Sequence, residues 1–279
     1  MSAPLRLGLL GAPGSGKLTF LSALSITGRT LPGYGRWVVR PDVSTTDFMN
    51  SAREILTEEK RFPRRGSVPG IRDLLGFTFW KDSTLDFHVE VVNLPGAHFA
   101  DDREDREAVA RNLSSCDGYI LLFDPIAERW RKDNHRFLSA MVNRVVALDP
   151  GAFPKPLSVC CVKYDDPQVF LPALAGGWGT DQDAEPRFPR VSDAKGFFTW
   201  ACGHFGDGSG ERFRVEVQNF DPGRTAYFVT TSVGFKAERG RFDLDDYVNA
   251  QGNRILGEIR PVNVVEPFIA LARMTGRTS

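Results

Sequence analysis

The chain has 279 residues, with 35 Lys and Arg against 35 Asp and Glu and a pI near 6.9. That balance argues against a protein that grips nucleic acid through its phosphates, and 42% apolar with 25% charged residues excludes a disordered, collagen-like or coiled-coil chain. The length suits one large α/β domain or two small ones, and 27 glycines with 18 prolines predict many loops.

Leu5–Leu10 is the first predicted strand, too short and glycine-interrupted to act as a signal peptide. No apolar run reaches the roughly 18–20 residues that cross a bilayer. A soluble, cytoplasmic chain with no membrane span is expected. Gly11-Ala12-Pro13-Gly14-Ser15-Gly16-Lys17 comes directly after the strand and opens a helix predicted over Lys17–Thr27. Glycines let consecutive backbone N–H groups turn inward around a phosphate, the helix N-terminus adds its dipole, and Lys17 supplies a point charge. This strand–loop–helix context marks a P-loop. One position departs from the pattern: the Ser or Thr that ligates Mg²⁺ is Leu18. Thr19 is the next residue, but one step along a helix turns a side chain by about 100°.

Downstream, a helix is predicted over Thr45–Lys60, followed by the basic stretch Lys60–Arg65. Strands Leu74–Trp80 and Leu85–Asn93 are separated by only four residues and form a hairpin. Further helices are predicted at Asp101–Ser115, Arg131–Leu148, Ser192–Cys202 and Val264–Met274, and further strands at Gly118–Phe123, Leu157–Val162 and Thr225–Thr231. Residues 176–210 form the least patterned stretch and read as an insertion or lid-like excursion, while Phe213–Phe220 fits strand and helix equally. The alternation predicts an α/β sheet covered by helices on both faces, mostly parallel with one antiparallel edge strand, and with the Gly11–Lys17 loop this gives a P-loop NTPase fold, for which the resemblance set out below implies a Ras-like order. It is read as one domain over residues 1–279, with insertions near 29–70 and 166–224. Cys116, Cys160, Cys161 and Cys202 lack metal-ligand spacing and read as reduced core thiols.

Four more segments carry a pattern: Val91-Val92-Asn93-Leu94-Pro95-Gly96, Cys116–Asp124, Val162-Lys163-Tyr164-Asp165 and Thr230-Thr231-Ser232-Val233-Gly234. With the P-loop, and in this order, they make the chain resemble the Ras-like P-loop GTPases, and within them the bacterial double-GTPase or conflict-system GTPase-like proteins. The resemblance implies that Asn93 stands where an acid holds Mg²⁺ through water, and that the Gly96 N–H senses the γ-phosphate. Ala97 replaces the water-positioning residue, leaving His98 as the candidate catalytic group. Lys163 would lay its stem along the base, and Asp165 would accept the two adjacent guanine donors, which adenine lacks. Val162 replaces the residue that ties this loop to the P-loop. Ser232 and Val233 would meet the guanine carbonyl through backbone. The first-switch hydroxyl is open between Ser67, Thr45 and Thr46, so Thr19 and Ser67 are the metal candidates.

The resemblance implies a GTP- or GDP-binding switch or scaffold with degenerate Mg²⁺ motifs and weak or absent hydrolysis. The Mg²⁺ requirement stays open, and the implied partner is a protein, another GTPase-like chain among the candidates. Two alternatives stand beside it: a nucleotide-insensitive pseudo-GTPase serving as an interaction module, and an ATP-binding P-loop protein.

Overall fold

The computed structural model of the chain describes residues 3–26, 30–31, 35–63, 74–93, 106–179, 189–238 and 241–278. In chain order the elements are β1 (Leu5–Gly11), α1 (Lys17–Ala23), β2 (Thr30–Leu31), β3 (Gly35–Pro41), α2 (Thr46–Thr57), β4 (Leu74–Lys81) and β5 (Thr84–Val92). Next come α3 (Arg106–Ser114), β6 (Gly118–Phe123), α4 (Pro125–Arg131), α5 (Asp133–Leu148), β7 (Leu157–Cys161), α6 (Pro167–Ala175), α7 (Ala194–Val217) and β8 (Thr225–Val229). Two short antiparallel pairs, β9 (Ala237–Glu238) with β10 (Arg241–Phe242) and β11 (Ala250–Gln251) with β12 (Arg254–Ile255), precede α8 (Glu266–Met274).

The main sheet has eight strands in the order β2-β3-β4-β5-β1-β6-β7-β8. From β5 to β8 every pairing is parallel. β2, β3, β4 and β5 pair antiparallel in turn. This corrects the expected edge: β4 is not the border strand, because β3 and β2 lie outside it. β3, absent from the predicted strands, alternates, with Trp37 and Val39 buried and Arg36 and Arg40 exposed, so a period-two signal is present. Trp37 packs edge-on to Phe87 at 5.8 Å, an arrangement worth about 0.5–1.5 kcal/mol beyond the area it buries.

Central strands are covered on both faces, which is why they read as continuous apolar runs. In β6, Ile120 and Leu122 face a core with α1, α2 and α8, where Phe20, Phe48 and Phe268 pack. Tyr119, Leu121 and Phe123 face a second core built on α3, α5, α6 and α7. Cys160 and Cys161 fall into opposite cores, and all four cysteines are buried and free. Burial pushes the Cys116 thiol up to about 12, so these groups pack as small apolar residues.

Three helices differ from expectation for identifiable reasons. α4 and α6 each begin at an Asp-Pro pair: Asp124 accepts from Ile126 and Ala127 N–H, and Asp166 from Gln168 N–H. Proline at the first helical position costs nothing, since its missing N–H would be unpaired there. Residues 194–217 are no excursion. They form α7, capped by Asp193, whose Phe197, Phe198, Phe205 and Phe213 are buried in the second core. Gly203, Gly206, Gly208 and Gly210, with a break at Asp207 (φ 47°, ψ −133°), disguise it in the sequence. No helix among the described residues is long and apolar enough to cross a membrane.

Candidate functional site

The site lies at the carboxyl ends of β1, β5, β7 and β8, where open α/β sheets place ligands. After β1 the chain turns through Gly14 and Gly16, at φ 80° and 86°, a region costly for residues with a Cβ. Ser15 N–H bonds to the Ala12 carbonyl at 3.1 Å and closes the loop. The Lys17 ammonium folds back onto the carbonyls of Gly11 and Ala12 and sits 5.8 Å from the centre of the Phe137 ring. Ser15 is 1% exposed, and its hydroxyl has no hydrogen-bond partner. A buried orphan hydroxyl is costly and rare; this one is packed against Gly11, on a residue that lines a cavity.

That cavity is about 690 Å³ in volume, within the range of small-molecule sites. Its lining joins residues 13–19, Asn93, Val162, Lys163, Asp165, Ser232 and Val233, drawn from four separated segments. Of the candidate residues, Pro13, Gly14, Ser15, Gly16, Lys17, Leu18, Thr19, Asn93, Lys163, Asp165, Ser232 and Val233 therefore meet at one cleft. Gly11 and Ala12 lie at the base of the loop without lining the cleft. Gly96, Ala97, His98 and Ser67 fall outside the described residues. Thr45 is turned inward, its hydroxyl accepting from Gly76 N–H at 2.8 Å, and the Thr46 hydroxyl donates to the Asp42 carbonyl. Neither contributes to the cleft.

The loop after β7 is held under strain. Lys163 adopts φ 60°, unfavourable for a side-chain-bearing residue, and its ammonium meets the Asp124 carboxylate at 2.6 Å. Asp124 is 1% exposed at its side chain and also caps α4. One carboxylate thus ties the end of β6 to the loop after β7, a role that no sequence motif assigns. Val162 is buried in the apolar core.

Asp165 has its carboxyl pushed up to about 6, chiefly by burial. A hydrogen bond from Thr231 and its own backbone N–H pull the other way, the neighbouring Asp166 adds to the rise, and Lys163 opposes it. Thr231 in turn accepts from Gly234 N–H at 2.7 Å. Gly234 has φ 76°, and a Cβ there would stand 2.2 Å from the Arg260 carbonyl, so only glycine fits. The turn holding Ser232 and Val233 is therefore fixed against residues 260–262.

Among the described residues, the side chains at the cleft form no ready-made cage for a divalent ion, although the Thr19 hydroxyl also lines it. Leu18 packs against the apolar core, Asn93 offers a neutral amide, and the lining carboxylates Asp165 and Asp166 belong to the loop after β7. Among the described residues no three His, Cys, Asp or Glu side chains group as metal ligands. Mg²⁺ demands near-octahedral oxygen and is usually bound through one or two carboxylates. Phe62, Pro63, Ala250 and Gly252 also line the cleft, and no sequence motif points to them.

No protein-family model matches the chain, and no curated protein matches it either. Among solved structures, it is similar to the crystal structure of an ADP ribosylation factor-like GTP binding protein, the small COPII coat GTPase SAR1 from Encephalitozoon cuniculi, in complex with GDP. The alignment covers 82% of this chain and 70% of that one, at 13% identity and a TM-score of 0.34. A likeness that faint carries no argument about this chain.

Proposed function

We propose that the chain is a guanine-nucleotide-binding protein of Ras-like P-loop type, one domain across residues 1–279, acting as a switch or scaffold with weak or no GTP hydrolysis. One observation carries the reading: residues 13–19, Asn93, Lys163, Asp165 and Ser232–Val233, which belong to separate sequence motifs, line a single cleft. Lys17 and the backbone of the Gly14–Gly16 turn, which line the cleft, are suited to phosphate oxygens. Asp165, a buried carboxylate that lines the cleft beside Lys163, is suited to the paired N–H groups on one edge of guanine, and adenine presents no such pair. With β2 and β3 set aside, the remaining six strands have a single antiparallel edge strand, β4, which also supports a Ras-like arrangement. Leu18 and Asn93 argue for nucleotide binding with little help from Mg²⁺, and with slow turnover, since phosphoryl transfer depends on that charge.

Isothermal titration of the parent and of Lys17→Ala with GDP, GTP and ATP, with and without Mg²⁺, tests this. The parent should bind GDP and GTP in preference to ATP. Lys17→Ala should lose roughly tenfold or more in affinity, about 1.4 kcal/mol, with its thermal unfolding unchanged. An ATP preference would turn the reading to an ATP-binding P-loop protein. No nucleotide binding at all would turn it to an interaction module that keeps the P-loop as fold.

A further inference from the structure

Part of the cleft is walled by chain that belongs neither to the phosphate loop nor to the loops after β7 and β8. Phe62 and Pro63 come from the segment after α2, whereas Ala250 and Gly252 come from the β11–β12 turn. The two segments are stitched together. Arg61 pairs antiparallel with Arg254, Ile255 N–H donates to the Lys60 carbonyl at 2.7 Å, and Phe62 N–H donates to the Asn253 carbonyl at 3.4 Å. The Lys60 ammonium reaches the Gly257 carbonyl at 2.9 Å.

Beneath this seam lies a separate small apolar cluster of Leu56, Val233, Ile255 and Ile259, with half-buried Phe62 packed on it. Asn249, 1% exposed, locks the same layer: its amide donates to the Val233 and Glu258 carbonyls at 3.2 and 3.0 Å and accepts from Gly257 N–H at 2.8 Å. Val233 stands in the turn beside Ser232. The wall is therefore anchored to the end of the cleft that holds Ser232 and Val233, through shared packing and not through the phosphate loop. Lys60 and Gly252 both sit at positive φ, 53° and 59°, where the two segments bend into the seam.

We infer that this wall is a base clamp: the heterocycle is gripped between Phe62 with the Ala250–Gly252 turn and the Lys163–Asp165 loop, and its binding tightens the pairing of residues 60–62 with 253–255. The inference rests on the proposed nucleotide reading and extends it to a second recognition surface. Its physical content is that an aromatic ring beside a planar base contributes selectively to the base and not to the phosphates. Coupling arises because each backbone bond across the seam holds Phe62 in place, so a ligand that needs Phe62 stabilises the seam.

The test compares GDP with inorganic pyrophosphate, which shares the phosphates and lacks the base. Phe62→Ala should weaken GDP binding by roughly tenfold to hundredfold, the range that base–aromatic stacking supports, and leave pyrophosphate affinity essentially unchanged. Phe62→Trp should restore GDP affinity and report binding by a fluorescence change. Phe62→Leu, which keeps the apolar filling of the cluster, should resemble Phe62→Ala in affinity while unfolding like the parent, which separates the ring from the packing. In the parent, GDP should slow hydrogen exchange at Phe62 and Ile255, and pyrophosphate should not. Equal losses for both ligands, or no loss for GDP, would overturn the clamp while leaving the nucleotide reading intact. A parent that binds pyrophosphate but not GDP would overturn both.

Discussion

Replacing Asp165 by Asn should make the ligand-free protein more stable and, at the same time, a poorer guanine binder. Burial pushes the carboxyl up to about 6, against 3.8 for the free side chain, because it disfavours the charged form. A folded-state value raised above the unfolded one stabilises the fold below the unfolded value, and that contribution is lost as pH rises through 6. At pH 8 the ionised carboxylate therefore costs the fold about 3 kcal/mol, since each tenfold change in proton affinity is worth about 1.4 kcal/mol. Asparagine carries no charge at any pH, so the variant avoids the cost. For a chain of this length a gain of that size raises the melting temperature by roughly 5 °C.

The gap should be widest at pH 8 and should narrow by roughly half at pH 5, where the folded protein already holds the proton. Denaturant melts of both proteins at the two pH values, without nucleotide, measure it. Titration with GDP and XDP supplies the other half: GDP affinity should fall, and XDP should gain, because an amide can donate to the carbonyl that replaces the 2-amino group. Parent GDP affinity should itself decline below pH 6 as the carboxyl takes up its proton. A variant that is less stable at pH 8 and binds GDP as well as the parent would refute the reasoning, since Asp165 would then be an ordinary structural side chain.

Leu18→Thr with Asn93→Asp should place a hydroxyl and a carboxylate where the donor set now fails, making GDP affinity Mg²⁺-dependent when the parent, both single variants and the pair are titrated with and without EDTA. Each single change should yield less than half the effect, as two ligands of one ion are coupled, and strong Mg²⁺ dependence in the parent would refute the idea. Asp207→Gly should stabilise the protein by about 1 kcal/mol, because glycine tolerates φ 47° and ψ −133° without strain. The Lys132 contact it removes, at 3.3 Å and with Asp207 86% exposed at its side chain, is too exposed to offset that gain. A lower melting temperature would show that the Asp207 side chain, not its backbone, holds the kink.

The legible and the hidden parts of this molecule differ in how far apart their determinants lie. The phosphate loop is readable because glycines, lysine, strand and helix occur within one short run, and backbone geometry there is a local matter. β6 and β7 are readable because burial on both faces writes an unbroken apolar run. α7 is only half legible: its amino-terminal turns carry helical spacing, but the Gly203, Gly206, Gly208 and Gly210 set resembles a loop. Only the structure reveals why one of them is required, since a Cβ on Gly210 would stand 1.9 Å from the Cys202 carbonyl. β3 escapes notice although it alternates, because its two arginines make the run look solvated. Its inward Trp37 and Val39 are the stronger signal, since they alone decide which face is buried.

The pairing of residues 60–63 with 250–255 has no sequence signature beyond the basic run that begins at Lys60, and the reason is physical. Its cohesion comes from main-chain hydrogen bonds and from one buried asparagine, Asn249, so almost any small side chain would serve at Ala250 and no spacing rule marks the pairing. The two segments are also joined where Ile255 and Phe62 meet Val233 and Leu56, at the end of α2, in one apolar cluster. Under the proposed nucleotide reading, the Gly11–Lys17 end of the cleft therefore depends on local chain geometry, and the Phe62 end on tertiary packing. The second kind yields to changes far from the ligand. Loss of the Asn249 amide, whose hydrogen bonds reach the cleft at Val233, would loosen Ser232–Val233 and the Phe62 wall together while leaving Lys17 and Ser15 where they are.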